Sequence, residues 1–297
     1  MLKHVALILS LLALQTPLNA QNLVESGQTL PGLWAGSAAW GDYDGDGDQD
    51  LALMGEMAED GQCMRIVRIY GNNEALLFED QAPSEQLIGA YYGDLAWADY
   101  DNDGDLDLAV VGWDVENNES LRLYLNDTSS GERVLALDRL QLDNAGEASL
   151  QGVRYASLAW ADYDSDGNLD LAIAGREASW GTSFLLYRNR PTGVLAVDAT
   201  FNLSNSLRVD GDLAWIDYDN DGDLDLAATG RSILSDHQAY VFSSEDGGLN
   251  GVSTETLLEG LTGGSATWID YDEDGRADLL LSGSDASGQR HTTLYNN

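Results

Sequence analysis

The chain has 297 residues, 51 of them acidic and 14 basic, for a net charge of −37. That balance excludes nucleic-acid binding through a basic surface, which needs cations against phosphates, and argues against docking on anionic lipid. With 43% hydrophobic residues, eight Trp and thirteen Tyr, the chain carries too much apolar surface for a disordered acidic tail, so the acid belongs to a folded protein.

Residues 1–20 read as a secretory signal peptide. Lys3 and His4 open it, Val5 to Leu14 is apolar but for Ser10, and Leu18-Asn19-Ala20 offers a small-residue cleavage site. That apolar stretch falls short of the about 20 residues a membrane helix needs. Residues 21–297 then read as a single secreted domain without a membrane span, and residues 21–30 as a strand. Cys63 is the only cysteine; it leaves no internal disulfide and reads as a packed or inert thiol.

From Trp40 onward one pattern returns five times. Trp40, Trp97, Trp160, Trp215 and Trp268 each open a 16-residue block that ends on Gly55, Gly112, Gly175, Gly230 or Gly283. Within the blocks the first loop aspartates, Asp42, Asp99, Asp162, Asp217 and Asp270, stand 57, 63, 55 and 53 residues apart. A β-like run with an aromatic follows in each unit: Tyr70, Tyr124, Tyr187, Phe242, Tyr295. A fourth short apolar run comes next, as at 75–78, 134–140 and 194–197. Alternating runs separated by Gly, Asn, Asp and Ser are strands and turns. Four short strands per unit predict an all-β chain, a β-propeller of five four-stranded blades. The chain stops after the third strand of the last unit, so the N-terminal strand is expected to complete that blade and hide its edge.

The block itself carries the chemistry. In Asp42-Tyr-Asp44-Gly-Asp46-Gly47-Asp48-Gln-Asp50, carboxylates at loop positions 1, 3, 5 and 9 are expected to converge. Gly at position 6 permits the sharp turn, and the position 7 carbonyl can face inward. Clustered like charges repel unless a cation sits between them. Oxygen donors in a flexible loop suit Ca²⁺, which takes 6–8 of them, better than Mg²⁺ or Zn²⁺. The other loops are Asp99, Asp101, Asp103, Asp105 and Asp107; Asp162, Asp164, Asp166, Asn168 and Asp170; Asp217, Asp219, Asp221, Asp223 and Asp225; and Asp270, Asp272, Asp274, Arg276 and Asp278. Position 7 varies, as expected if only its carbonyl binds. The loop is similar to the first half of an EF-hand, but the Glu needed at position 12 is absent: Leu53, Val110, Ile173, Ala228 and Leu281 stand there.

The five Asp-x-Asp-x-Asp-Gly-x-x-Asp blocks resemble the VCBS/FG-GAP repeats of the integrin α-subunit N-terminal propeller family. Gly-Asp-Leu-Ala-Trp (93–97 and 211–215) stands where that family has its Phe-Gly and Gly-Ala-Pro tripeptides. The resemblance implies up to five Ca²⁺ ions, held by the loop residues just named, and an extracellular role in adhesion or in recognition of a protein or carbohydrate ligand.

The recurring Trp and loop Tyr residues predict contacts between blades. Recognition is better sought in residues that do not recur: Trp113, Asp114, Arg176, Trp180 and Arg231 between second and third strands, and Trp34, Tyr91, Tyr92, Arg154, Tyr155 and Arg208 between units. Both sets are expected on the face opposite the acidic loops. His237 and His291 are the only histidines past the leader, and no Gly-x-Ser-x-Gly elbow, Walker loop or His-Glu-x-x-His occurs, so no catalytic residue is assigned. The reading is a non-catalytic calcium-binding recognition module. The alternative is a polysaccharide-acting hydrolase or lyase using the propeller face, for which an acidic or basic cluster outside the loops is the mark. Asn118, Asn126 and Asn202 open glycosylation sequons.

Overall fold

Short alternating runs cut by turn residues become nineteen β-strands, with no helix among the described residues, in the computed structural model of the chain. The structure describes residues 27, 30–72, 78–80, 87–127, 134–138, 150–178, 181–191, 193–198, 211–231, 237–245, 248–252 and 258–297. Residues 31–297 form one compact unit and residues 1–30 another. The leader lies outside the described residues, as does the expected strand over 21–30 apart from Gly27 and Leu30. No helix of the described residues is long and apolar enough to cross a membrane.

Five antiparallel sheets follow one another along the chain, each in sequence order. The first holds β1 (Trp34–Gly41), β2 (Asp50–Glu59), β3 (Gln62–Asn72) and β4 (Phe78–Asp80). The second holds β5 (Ala90–Ala98), β6 (Asp107–Asp114), β7 (Glu119–Asp127) and β8 (Val134–Leu137). The third holds β9 (Arg154–Ala161), β10 (Asp170–Arg176), β11 (Thr182–Asn189) and β12 (Leu195–Val197). The fourth holds β13 (Leu213–Ile216), β14 (Asp225–Arg231), β15 (His237–Glu245) and β16 (Gly248–Val252). The fifth holds β17 (Ala266–Ile269), β18 (Asp278–Ser284) and β19 (Arg290–Tyr295).

The second strands of the sheets are the most deeply covered. Leu108 to Val111 and Leu171 to Ala174 are buried on both faces, as expected for strands sandwiched between neighbouring sheets. Each pair of consecutive sheets shares one apolar core. Met54, Val67 and Ile69 meet Leu95, Leu108 and Tyr124. Val111, Leu121 and Leu123 meet Leu158, Leu171 and Ile173. Leu186 meets Leu226 and Phe242, and Val241 meets Leu279 and Leu281.

The predicted aromatic contacts occur between sheets. The loop Tyr of one sheet stacks on the Trp of the next in Tyr43–Trp97, Tyr100–Trp160, Tyr163–Trp215 and Tyr218–Trp268, with ring centroids 5.7 to 6.2 Å apart. Two details sharpen the sequence reading. Cys63 is exposed near the β2–β3 hairpin rather than packed. Asn126 is buried, and its Nδ2 donates to the Tyr43 and Leu106 carbonyls at 2.7 and 3.1 Å, so its sequon is inaccessible to a glycan.

The first strands are joined by a belt of hydrogen bonds that periodicity does not reveal. Ser37 Oγ donates to Asp94 Oδ1 at 2.6 Å, and the Leu158 N–H donates to Asp94 Oδ2 at 3.3 Å. Ser157 Oγ donates to Asp212 Oδ1 and the Ala266 N–H to Asp212 Oδ2, both at 2.9 Å. Two carboxylates therefore each tie three successive sheets together. Burial raises the Asp94 pKa, as does the Asp212 charge. Truncating either acid leaves buried donors unpaired, at a cost of about 1–3 kcal/mol for each such group. Asp94→Ala and Asp212→Ala should each lower the unfolding free energy by about 2–4 kcal/mol in urea titrations. A loss under about 0.5 kcal/mol, the range of an inert surface change, would show that the belt contributes little.

Candidate functional site

Each acidic loop connects the first and second strands of a sheet, and its geometry repeats. The Gly at position 6 has a left-handed φ of 88 to 100° in all five loops, a backbone a side chain would strain. That turn points its N–H at the position 1 carboxylate: Gly47 to Asp42, Gly104 to Asp99, Gly167 to Asp162, Gly222 to Asp217 and Gly275 to Asp270, all at 2.9 to 3.1 Å. Position 4 is also left-handed, at Gly45, Asn102, Ser165, Asn220 and Glu273.

Position 9 is the buried anchor. Asp50, Asp107, Asp170, Asp225 and Asp278 are 0 to 2% exposed. Each accepts the backbone N–H of the residue two places after the third-strand aromatic: Asn72, Asn126, Asn189, Ser244 and Asn297, at 2.7 to 2.9 Å. In four of the loops the other oxygen accepts the N–H of the loop Tyr. Three of the Asn side chains then cross to the previous sheet: Asn126 Nδ2 donates to the Tyr43 carbonyl at 2.7 Å, Asn189 Nδ2 to the Tyr100 carbonyl at 2.6 Å and Asn297 Nδ2 to the Tyr218 carbonyl at 2.5 Å. From sequence these residues were not assigned to the site, Asn126 being read only as a sequon, although their constant offset from the aromatic was visible there.

The structure brings positions 1, 3 and 9 together. Oxygens of Asp42, Asp44 and Asp50 lie within 4.8 Å of one another, as do those of Asp99, Asp101 and Asp107, of Asp162, Asp164 and Asp170, and of Asp217, Asp219 and Asp225. Positions 5 and 7 stand outside these groups. One oxygen of Asp46, Asp103, Asp166, Asp221 and Asp274 accepts the position 7 N–H at 2.9 to 3.0 Å. Arg276 reaches back to Asp274 at 2.6 Å, and Asn168 Nδ2 to Asp166 at 2.7 Å. In the fifth loop Asn296 Nδ2 donates to Asp272 at 2.9 Å.

Electrostatics single out the same carboxylates. Burial, reinforced by neighbouring acids, pushes Asp107 and Asp170 up to about 7 and Asp225 up to about 6. It raises Asp50, Asp101, Asp164 and Asp219 as well. Asp42 Oδ1, Asp99 Oδ1 and Asp170 Oδ2 are buried with no hydrogen-bond partner. Convergent carboxylates with unsatisfied oxygens fit a cation, which would supply the missing partner and reverse the repulsion.

A cavity of about 700 Å³ is lined by residues of all five units, among them Trp34, Tyr92, Tyr155, Arg176, Gly211 and Thr262. Ala35, Tyr92 and Tyr155 have left-handed φ values of 48 to 50°, a conformation bulky residues rarely adopt. The strands bulge there, with register breaks at 34–37, 91–94 and 174–176. In β5 the bulge brings backbones so close that a Cβ on Gly93 would stand 1.9 Å from the Val111 carbonyl oxygen. Such strain gathers where function holds it. Tyr92 meets Trp34 at 5.0 Å and Tyr155 at 4.5 Å between centroids, while Trp34 and Tyr155 remain 56% and 40% exposed. Guanidinium groups cover the rings beside them: Arg176 over Tyr155 at 5.1 Å, Arg154 over Trp113 at 4.7 Å and Arg65 over Tyr91 at 4.3 Å. Arg65 was not anticipated from sequence. Trp180, Arg208 and the Arg231 side chain lie outside the described residues.

Residues 99–173, 162–228 and 217–281 match the family model of the FG-GAP-like repeat. No curated protein matches the chain. Among solved structures it is similar to the V. cholerae biofilm matrix protein Bap1, at 14% identity and TM-score 0.46, over 90% of this chain and 40% of that one. It is also similar to a glycoside hydrolase, at 10% identity and TM-score 0.42, over 90% and 89% of the two chains. A third is CoXyl43, a GH43 β-xylosidase/α-arabinofuranosidase from a compost microbial metagenome, at 12% identity and TM-score 0.41, over 89% and 91%.

The raised carboxyls set a pH dependence for the metal-free protein. Asp107 and Asp170 hold protons up to about pH 7 when folded but only to about 4 when unfolded. Between those values the folded state binds more protons, so stability falls as pH rises. In EDTA the melting temperature should be higher at pH 5 than at pH 8, and Asp170→Asn should flatten that difference relative to wild type. A melting temperature that climbs with pH in EDTA, or a slope Asp170→Asn leaves unchanged, would contradict this electrostatic account.

Proposed function

The chain belongs to the FG-GAP-like repeat family, and from that premise we propose a secreted, non-catalytic, calcium-binding β-propeller of five blades that recognises an extracellular protein or glycan. The observation that carries the metal part is the repeated convergence of the position 1, 3 and 9 carboxylates, with Asp42 Oδ1, Asp99 Oδ1 and Asp170 Oδ2 buried and unpartnered among them. An all-oxygen donor set at a flexible hairpin suits Ca²⁺. Positions 1, 3 and 9 form the core of each proposed site, with the position 5 carboxylate and the position 7 carbonyl completing the shell. Closure of the ring is supported by the cavity, whose lining includes residues of both the first and fifth sheets' units. Secretion rests on the leader-like residues 1–20.

The ligand site in this reading is that cavity. Exposed rings beside guanidinium groups offer stacking faces and charged donors to a sugar or peptide. Outside the loops, Asp94 and Asp212 each follow a glycine that lines the cavity, Gly93 and Gly211. Both spend their oxygens on neighbouring strands, which supports the binding reading.

Each ion bound only by the folded state stabilises it by about 1.4 kcal/mol at tenfold excess over Kd. Adding millimolar CaCl₂ to EDTA-treated protein should therefore raise the melting temperature in a chelator-reversible way, and Asp107→Asn should shrink the gain. A melting curve indifferent to calcium would sink the metal reading. On glycan and protein arrays probed in calcium, Trp34→Ala and Tyr155→Ala should abolish the strongest signal while leaving the calcium-induced shift intact; retention of binding by both variants would remove the cavity from the proposal.

A further inference from the structure

We propose that Glu259, Asp285 and His291 form a site for one first-row transition-metal ion, chemically distinct from the carboxylate loops and independent of the calcium reading. The three come from separate segments: the stretch before β17, the β18–β19 turn and β19 itself. One ligand atom of each lies within 4.8 Å of the other two. His291 Nε2 stands 2.8 Å from Asp285 Oδ2 and 3.9 Å from Glu259 Oε1. With metal–ligand bonds of about 2.0–2.1 Å, tetrahedral donors sit about 3.3 Å apart, a spacing those two distances bracket.

The donors are held before any ion arrives. Asp285 Oδ1 accepts the Ser287 N–H at 2.8 Å, the Ser287 hydroxyl at 2.7 Å and the Gln289 N–H at 2.9 Å. That oxygen is saturated, which fixes Oδ2 toward the imidazole, the kind of outer support that orients metal ligands. The Glu259 N–H donates to Tyr295 Oη at 2.9 Å and ties its segment to the same strand. An imidazolium paired with Asp285 at 2.8 Å and with Glu259 at 3.9 Å is the metal-free form of the same arrangement, and the metal takes the place of that proton.

The chemistry differs from the loops through one atom. Imidazole nitrogen favours zinc, nickel, copper or iron over calcium, while two carboxylates balance a divalent charge. Three protein donors leave a fourth position for water or a ligand. The side chains are 23 to 43% exposed, so an ion can enter from solvent. The site adjoins the cavity wall: the Ser284 N–H, one residue before Asp285, donates to the carbonyl of the lining residue Thr262 at 2.9 Å.

The test uses untagged full-length protein, stripped by chelator and returned to millimolar calcium, so that the acidic loops are satisfied. Zn²⁺ titrated by calorimetry should bind at one equivalent per chain, and Co²⁺ should give the visible ligand-field bands of a four-coordinate ion. His291→Ala, Asp285→Asn and Glu259→Gln should each weaken Zn²⁺ by at least about tenfold, whereas His237→Ala and Cys63→Ser should leave it unchanged. Glu259 is the most exposed ligand, so Glu259→Gln guards against a folding artefact, and the melting temperature of each variant in calcium confirms the fold. No Zn²⁺ binding in calcium, or binding that His291→Ala and Glu259→Gln both leave intact, overturns the proposal.

Discussion

Repulsion between one buried carboxylate and its acidic neighbours is the constraint on which this structure turns. At position 9 an aspartate is almost wholly removed from water, yet it accepts backbone hydrogen bonds from both the loop and the third strand. One side chain thus fixes the hairpin and sets the register of the next strand. The same side chain places a negative charge beside those at positions 1 and 3, where burial and like charge both work against ionisation. Folding of the hairpin and the gathering of like charge are therefore one event, since the anchor cannot be buried without creating the electrostatic problem.

Charge is also distributed along the sheets. Acid concentrates in the first-to-second strand loops, while Arg65, Arg154 and Arg176 gather on aromatic rings beside the cavity. A chain so acidic repels most anions at long range. The guanidinium groups are held in orientation by their rings, and Arg154 is also paired with Glu119 at 3.4 Å. Left-handed Tyr92 and Tyr155 show that this region is shaped at a conformational cost rather than by strand geometry alone.

Much of this was legible in the sequence because it repeats. The acidic loops, their glycine turn and the Tyr–Trp contacts recur at fixed offsets, so each copy corroborated the others. What stayed hidden was carried by long-range pairing. Asp94 and Asp212 looked like departures from a tripeptide pattern; they are the belt that joins the first strands, to partners 54 to 64 residues away. The turns of Asn126 and Asn189 toward the preceding sheet depend on tertiary placement that an offset alone does not encode. One oxygen of each position 5 side chain also accepts the position 7 N–H, a contact within the loop that the spacing alone does not show. His291 occurs once, so no repetition could draw attention to it.

The ties between sheets described above run mostly from each module to its immediate neighbours, through a stacked ring pair, an asparagine amide and a shared apolar core. Four of these joints repeat the same stacked ring pair, and residues of all five units line one cavity, so each joint bears on the shape of a space that no sheet encloses alone.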